Sequence, residues 1–235
     1  MSKLINVMLV SLLFTGCMAS QGNINSGMVA YFPFNGNARN MIDDAMPANV
    51  DGAILSTDRF GRKNSAYSFD GVEAYIQVEV GNMPASQSTQ SFSWWYLVDE
   101  IQTYSHEFGA GNMIVLVDSG SGIGIQFGFR GDGYNTLGLD TWNWGGGTLL
   151  EVAPPAVKDW HHCVYTYDGS THRFYLDGNE IASSHVEPQK GTPKQLMLGN
   201  YPSGDQFYKG KLDDLRIYNR VLNPAEIYSL YAIDK

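Results

Sequence analysis

Apolar and polar positions alternate with a period of two along most of the chain. Across residues 212–218, Leu215 and Ile217 share a face with Asp213. Leu212, Asp214, Arg216 and Tyr218 take the other face, the pattern of a strand with one buried side. Similar reasoning predicts strands at 29–33, 66–69, 75–78, 92–98, 113–118, 122–129, 136–139 and 195–198. Turns punctuate them: Asp51-Gly52, Asp70-Gly71, Asp132-Gly133, Asp168-Gly169 and Asp177-Gly178 put a glycine where the chain needs a positive φ. Two of these turns frame hairpins, pairing 162–167 with 172–176 and 173–176 with 180–183. A helical period shows at the C-terminus. There Asn223 caps, Pro224 takes the first helical position, Glu226 completes a capping box, and Ile227, Leu230 and Tyr231 form one apolar face. Many short strands at regular spacing predict an all-β, antiparallel sandwich with a short C-terminal helix.

Four blocks carry a family resemblance. They are Met28-Val29-Ala30-Tyr31-Phe32-Pro33-Phe34-Asn35-Gly36-Asn37-Ala38; Asp58-Arg59-Phe60-Gly61 through Ala66-Tyr67-Ser68-Phe69-Asp70-Gly71; Trp160-His161-His162-Cys163-Val164-Tyr165-Thr166-Tyr167-Asp168-Gly169 down to Leu176-Asp177-Gly178; and Gly210-Lys211-Leu212-Asp213-Asp214-Leu215-Arg216-Ile217-Tyr218 with its helix start. In this order they resemble the laminin-G-like, concanavalin-A-like domains of bacterial surface proteins. The resemblance implies a jelly-roll sandwich over residues 28–235, a fold that hosts many roles. Within it Trp94-Trp95-Tyr96 matches the family's buried tryptophan strand, with Trp95 expected in the core. His161 and His162 look structural.

The N-terminus changes the picture of where such a domain works. Lys3 is followed by an apolar stretch from Leu4 to Phe14, too short to span well and closed by small residues. Phe14-Thr15-Gly16-Cys17 resembles a bacterial lipobox, with residues 1–16 as a lipoprotein signal peptide and Cys17 as the lipidated first mature residue. That resemblance implies several acyl chains, hence stable anchoring. Met18, where aspartate would favour inner-membrane retention, points to the outer membrane; the alternative is an ordinary cleaved signal and a secreted product. Residues 17–27 are small, polar and uncharged, a flexible tether. The second of two cysteines, Cys163, then has no intrachain partner and reads as a small buried hydrophobe. A net charge of −9 with no basic run longer than a pair makes nucleic acid and anionic lipid head groups poor partners.

Candidate chemistry is sparse. Glycan hydrolases of this shape need two carboxylates on one strand face, but Asp99-Glu100 and Asp213-Asp214 are adjacent and in a regular strand point to opposite faces. No recognisable block surrounds the five histidines, and no Gly-x-Ser-x-Gly occurs. The expectation is a protein that is not an enzyme, with a glycan-active hydrolase or lyase as the contrary reading. The family resemblance implies one structural calcium ion, held by Asp213 and Asp214 with the opening loop; there Asn40 stands where the family has aspartate, and Asp43 or Asp44 compensates. Calcium takes six to eight oxygen ligands, which such a set must assemble. For ligand binding, Trp142-Asn143-Trp144 on a glycine-rich stretch, preceded by Tyr134, and the loop from Tyr201 to Gln206 are the aromatic, polar segments suited to a sugar or a protein surface. The expected function is non-catalytic binding of a glycan or surface protein by an envelope-anchored domain. The alternative is a scaffold whose ligands are proteins alone.

Overall fold

The computed structural model describes residues 23–233 except 45, 81–82, 86–87, 102–110, 118–123, 131–135, 143–147, 186–190, 192, 203 and 205, with the backbone alone at 130, 141–142 and 148–149. Among the described residues fifteen strands and one helix follow in order: β1 Met28–Phe32, β2 Ala48–Asp51, β3 Ile54–Ser56, β4 Ala66–Asp70, β5 Tyr75–Glu79, β6 Gln90–Val98, β7 Asn112–Val117, β8 Gly124–Arg130, β9 Thr136–Trp142, β10 Thr148–Val152, β11 Trp160–Tyr167, β12 Thr171–Leu176, β13 Asn179–His185, β14 Gln195–Leu198, β15 Lys209–Tyr218 and α1 Pro224–Ile233. The alternating pattern locates nine strands and both hairpins. It misses β2, β3 and β10, which are short and carry few buried positions.

The strands form two antiparallel sheets. The eight-stranded sheet runs β13-β12-β11-β6-β15-β4-β3, and β1 also pairs with β15, beyond the end of β4. The seven-stranded sheet runs β10-β9-β8-β7-β14-β5-β2. Between them lies an aromatic core. Trp94 packs on Phe127 at 4.9 Å between centroids, Phe127 on Tyr165 at 5.2 Å, and Phe92 and Phe174 join the stack. Such pairs add about 0.5–1.5 kcal/mol each beyond area burial. Cys163 belongs to this core, a free thiol whose ionisation burial strongly opposes.

The tryptophan pair is divided differently from expectation. Trp94 faces the core between the sheets. Trp95 is also buried, but on the outer face of the eight-stranded sheet, where Tyr231 of α1 stacks over it at 6.0 Å. Adjacent strand residues must take opposite faces, and here the helix covers the outward one. A second cluster of Val164, Tyr175, Tyr218, Leu222, Ile227 and Leu230 seats α1 on that face. The capping box forms as predicted: the Glu226 amide donates to Asn223 Oδ1 at 3.0 Å and the Asn223 amide to Glu226 Oε2 at 2.9 Å. Packing extends upstream of Met28, where the tether was expected to end. Residues 23–27 form a turn whose carbonyls at Asn23 and Ser26 accept from Arg220, and Ile24 packs beneath the helix. No helix among the described residues is long and apolar enough to cross a membrane.

Candidate functional site

Alternation breaks once in β15. Between Asp213 and Arg216 the strand advances three residues while β6 advances two, from Trp95 to Ser93. This is a β-bulge, with Asp214 at φ 50° as the extra residue. It lets Leu212 and Leu215 both enter the core and turns Asp213 outward. The expected sharing of a face by Asp213 and Leu215 is therefore corrected by the bulge. So is the opposite-face argument for the two aspartates: one guanidinium joins them. Arg59 Nη1 donates to Asp213 Oδ2 at 2.5 Å and Nη2 to Asp214 Oδ2 at 2.6 Å. The guanidinium is wedged 4.7 Å from the Trp95 ring centre and 4.5 Å from that of Phe60. The Tyr31 hydroxyl donates to Asp214 Oδ1 at 2.7 Å. Burial, with Asp214 alongside, pushes the Asp213 carboxyl up to about 8. At Asp214 burial also pushes upward, but Arg216, the Tyr31 hydroxyl and Arg59 outweigh it and hold that carboxyl below its usual range. The apolar spacing Leu212-x-x-Leu215, three rather than two, was the sequence signal for the bulge.

The five residues expected to hold calcium are engaged otherwise. Asp213 and Asp214 face the Arg59 cation. Asn40 is 2% exposed, and its Oδ1 already accepts the amides of Tyr31 at 2.9 Å and Ile42 at 3.1 Å. Asp44 pairs with Arg39 at 2.7 Å on the surface, and the Asp43 carbonyl accepts the Met46 amide at 3.3 Å. Among the described residues no group of three or more His, Cys, Asp or Glu is placed to hold a metal. This donor set does not fit a calcium ion, because a guanidinium already neutralises its central pair.

Three histidines of the eight-stranded sheet serve packing, while His185 at the end of β13 is exposed. His162 Nε2 lies 2.9 Å from Ser93 Oγ, and burial followed by Arg216 pushes it down to about 3. His172, 2.7 Å from the Tyr165 hydroxyl, is pushed down to about 4 by burial. His161 is raised by its 2.8 Å contact with Asp177. None of the three lines either groove described below.

The open chemistry lies on the outer face of the seven-stranded sheet. On β5 and β14, Ile76, Val78, Leu196 and Leu198 face inward, so Tyr75, Gln77, Gln195 and Met197 face outward. Together with Asp51, Glu73, Asn200 and Phe207 they border a groove of about 450 Å³, within the small-molecule range. Register places Met197 between Gln77 and Val115. Its sulfur accepts from Gln195 Nε2 at 3.4 Å. A similar depression of about 460 Å³ lies at the opening loop, between Arg39, Asp43, Asp44 and Tyr67.

Of the aromatic candidates, Tyr134, Asn143 and Trp144 lie outside the described residues, as does the side chain of Trp142. β9 runs from Thr136 to Trp142. The register Leu198–Ile114–Phe127–Leu139 puts the Asn200 end of β14 on the same side as the Thr136 end of β9. Tyr201 is half-buried beside the groove, in a turn where its carbonyl accepts the Gly204 amide at 2.9 Å. Pro202 and Gly204 of that predicted loop line the groove itself. Gln77, Gln195, Asn200, Asp51 and Glu73 were missed, although the outward positions of the two strands could have been read from their period.

Residues 70–228 match the laminin-G family model described as the concanavalin A-like lectin/glucanases superfamily. The chain belongs to this family. Over 106 residues it is 30% identical to adhesion G-protein coupled receptor V1 of Danio rerio, a match covering 42% of this chain and 2% of the receptor's length. Among solved structures it is similar to domain 4 of AbnA, a GH43 extracellular arabinanase from Geobacillus stearothermophilus, in complex with arabinotriose. That likeness has a TM-score of 0.70 at 18% identity and covers 87% of this chain and 98% of the other. It is also similar to the binding domain of botulinum neurotoxin serotype G, with a TM-score of 0.70 at 14% identity, covering 88% and 51%. These likenesses show the fold. In this concanavalin A-like sandwich the matched span takes in both the bulged acid pair and, apart from Asp51, the residues named around the groove.

Proposed function

We propose that this domain is a non-catalytic recognition module that holds a glycan in the groove on the outer face of the seven-stranded sheet. The observation that most supports this is the lining: side-chain amides of Gln77, Gln195 and Asn200, carboxylates of Asp51 and Glu73, and the rings of Tyr75 and Phe207 around one cavity. Amides and carboxylates exchange hydrogen bonds with hydroxyls, while ring faces cover the apolar C–H faces of a sugar. The similar arabinanase domain, whose structure holds arabinotriose, lends further support. In this reading the protein sits on the outer membrane through a lipid on Cys17, and calcium plays no part in the groove. A surface protein is the second reading. It is favoured by the exposed apolar side chains of Met41, Ile42, Val50 and Ile54 near the other depression.

A glycan array on the purified protein tests the first reading. Binding is expected, and is expected to be lost in a folded Gln77→Ala, Gln195→Ala variant. Binding that survives in that variant moves the site elsewhere; no binding to any glycan favours the protein partner. Metabolic acyl labelling tests the anchor, since Cys17→Ser should abolish the label.

A further inference from the structure

Asn200 is 4% exposed, borders the groove, and its Oδ1 accepts no hydrogen bond. Buried acceptors of this kind are rare, and each calls for a partner. The backbone leading to it is fixed. Gly199 before it adopts φ +83°, and a Cβ there would stand 2.2 Å from Phe69 Cδ1, so the backbone lies directly on that ring. The Gly199 amide donates to the Met113 carbonyl at 3.0 Å, and its carbonyl accepts the Tyr208 amide at 2.8 Å. Asn200 is thus held by the β14 end on one side and the start of β15 on the other.

Around it the groove is rich in acceptors and carries no cation. Asp51 and Glu73 contribute carboxylates, the Tyr75 hydroxyl is hydrogen-bonded to Asp51, and no lysine, arginine or histidine is among the described lining residues. A ligand here must bring donors and no negative charge. An anionic group would meet like charge at close range within a protein of net charge −9. A sugar hydroxyl satisfies this demand, donating to an acceptor such as Asn200 Oδ1 while accepting from an amide N–H of Gln77.

We infer that the groove is a subsite for a neutral, hydroxyl-rich sugar residue, with Asn200 Oδ1 accepting a hydroxyl proton and Glu73 excluding acidic sugars. This rests on the reading of the groove as a glycan site and names the class it takes. Arabinotriose and maltotriose serve as neutral probes, with sialyllactose and trigalacturonic acid as acidic ones, titrated calorimetrically against the whole protein. At least one neutral probe should bind ~10-fold or more tightly than either acidic one. Glu73→Lys, a change at an exposed rim position, should narrow that gap. Asn200→Ala should lose ~10-fold in affinity for the neutral probe; if it fails to fold, Gln77→Ala reads the same groove. Acidic probes binding as tightly as neutral ones would overturn the inference and leave the glycan reading intact. Unchanged affinity in a folded Asn200→Ala would remove the anchor. No binding by any probe, followed by an empty glycan array, would end both.

Discussion

Asp213 and Asp214 lie on the outer face of the eight-stranded sheet, beneath Arg59, at 1% and 6% exposure. Asp51 and Glu73 lie on the outer face of the seven-stranded sheet, on the border of a cavity. The two pairs have the same chemistry and opposite surroundings. On the first face a cation, a tyrosine hydroxyl and a stacked tryptophan complete the carboxylates within the chain. On the second face an amide acceptor is left without a donor. A buried acid with internal partners is a structural element, whereas acids and amides around an empty volume are available to a guest. Substitutions should therefore divide cleanly, those on one face altering stability and those on the other altering binding.

The sharpest test of that division is Arg59→Met. Removing the guanidinium leaves two buried carboxylates without their shared cation, so unfolding free energy in urea should fall by ~3–5 kcal/mol. Adding Asp213→Asn should recover most of the loss, because Arg216 still balances Asp214, and sugar binding by the folded protein should be unchanged. A loss under ~1 kcal/mol would mean that the cluster is ornamental.

Next comes acid sensitivity. Burial holds His162 and His172 neutral, with folded values near 3 and 4 against 6.5 unfolded. Depressed values mean that their contribution is complete above pH 6.5 and lost as pH falls below it. Each histidine contributes a decline approaching ~1.4 kcal/mol per pH unit between pH 6.5 and 4, while Asp213, raised to about 8, gains stability as pH falls over the same window and offsets one of them, so the net fall should be about 1.4 kcal/mol per pH unit. Urea melts across that range would show it, and a flat profile would refute it.

On the other face, Gln77→Ala should change stability by no more than ~0.5 kcal/mol while abolishing sugar binding. The smallest effect belongs to calcium. Chelation should leave the melting temperature unmoved, because a bound ion present at a hundred times its Kd would add ~2.7 kcal/mol and raise it visibly. A rise on adding calcium would show that the cation displaces or supplements Arg59.

Most of the sandwich was legible because its strands carry one wet face and one dry face, and because Asn223 and Glu226 announce the helix. Two things were not. The bulge in β15 was hidden by counting in twos, although Leu212-x-x-Leu215 marks the place where two becomes three. The groove was hidden because Gln77, Gln195 and Asn200 are far apart in sequence and individually ordinary; pairing of β5 with β14 makes them neighbours. The acid pair itself was found, but its partner Arg59, more than 150 residues upstream in the chain, carries no spacing signal.

Arg220 ties the turn at residues 23–27 to Glu226 of the helix cap, with contacts of 2.7 Å to the Ser26 carbonyl and 2.7 Å to Glu226 Oε2. Viewed mechanically, this is a strain relief. A pull on the chain at Asn23 reaches the Arg220 contacts before it loads the ladder between β1 and β15. Force-spectroscopy traces of Arg220→Ala should lose an early low-force event and keep the main rupture. The turn at residues 23–27 lies on one outer face of the sandwich and the groove opens on the other, so under the proposed anchoring through Cys17 tension would draw the groove away from the membrane.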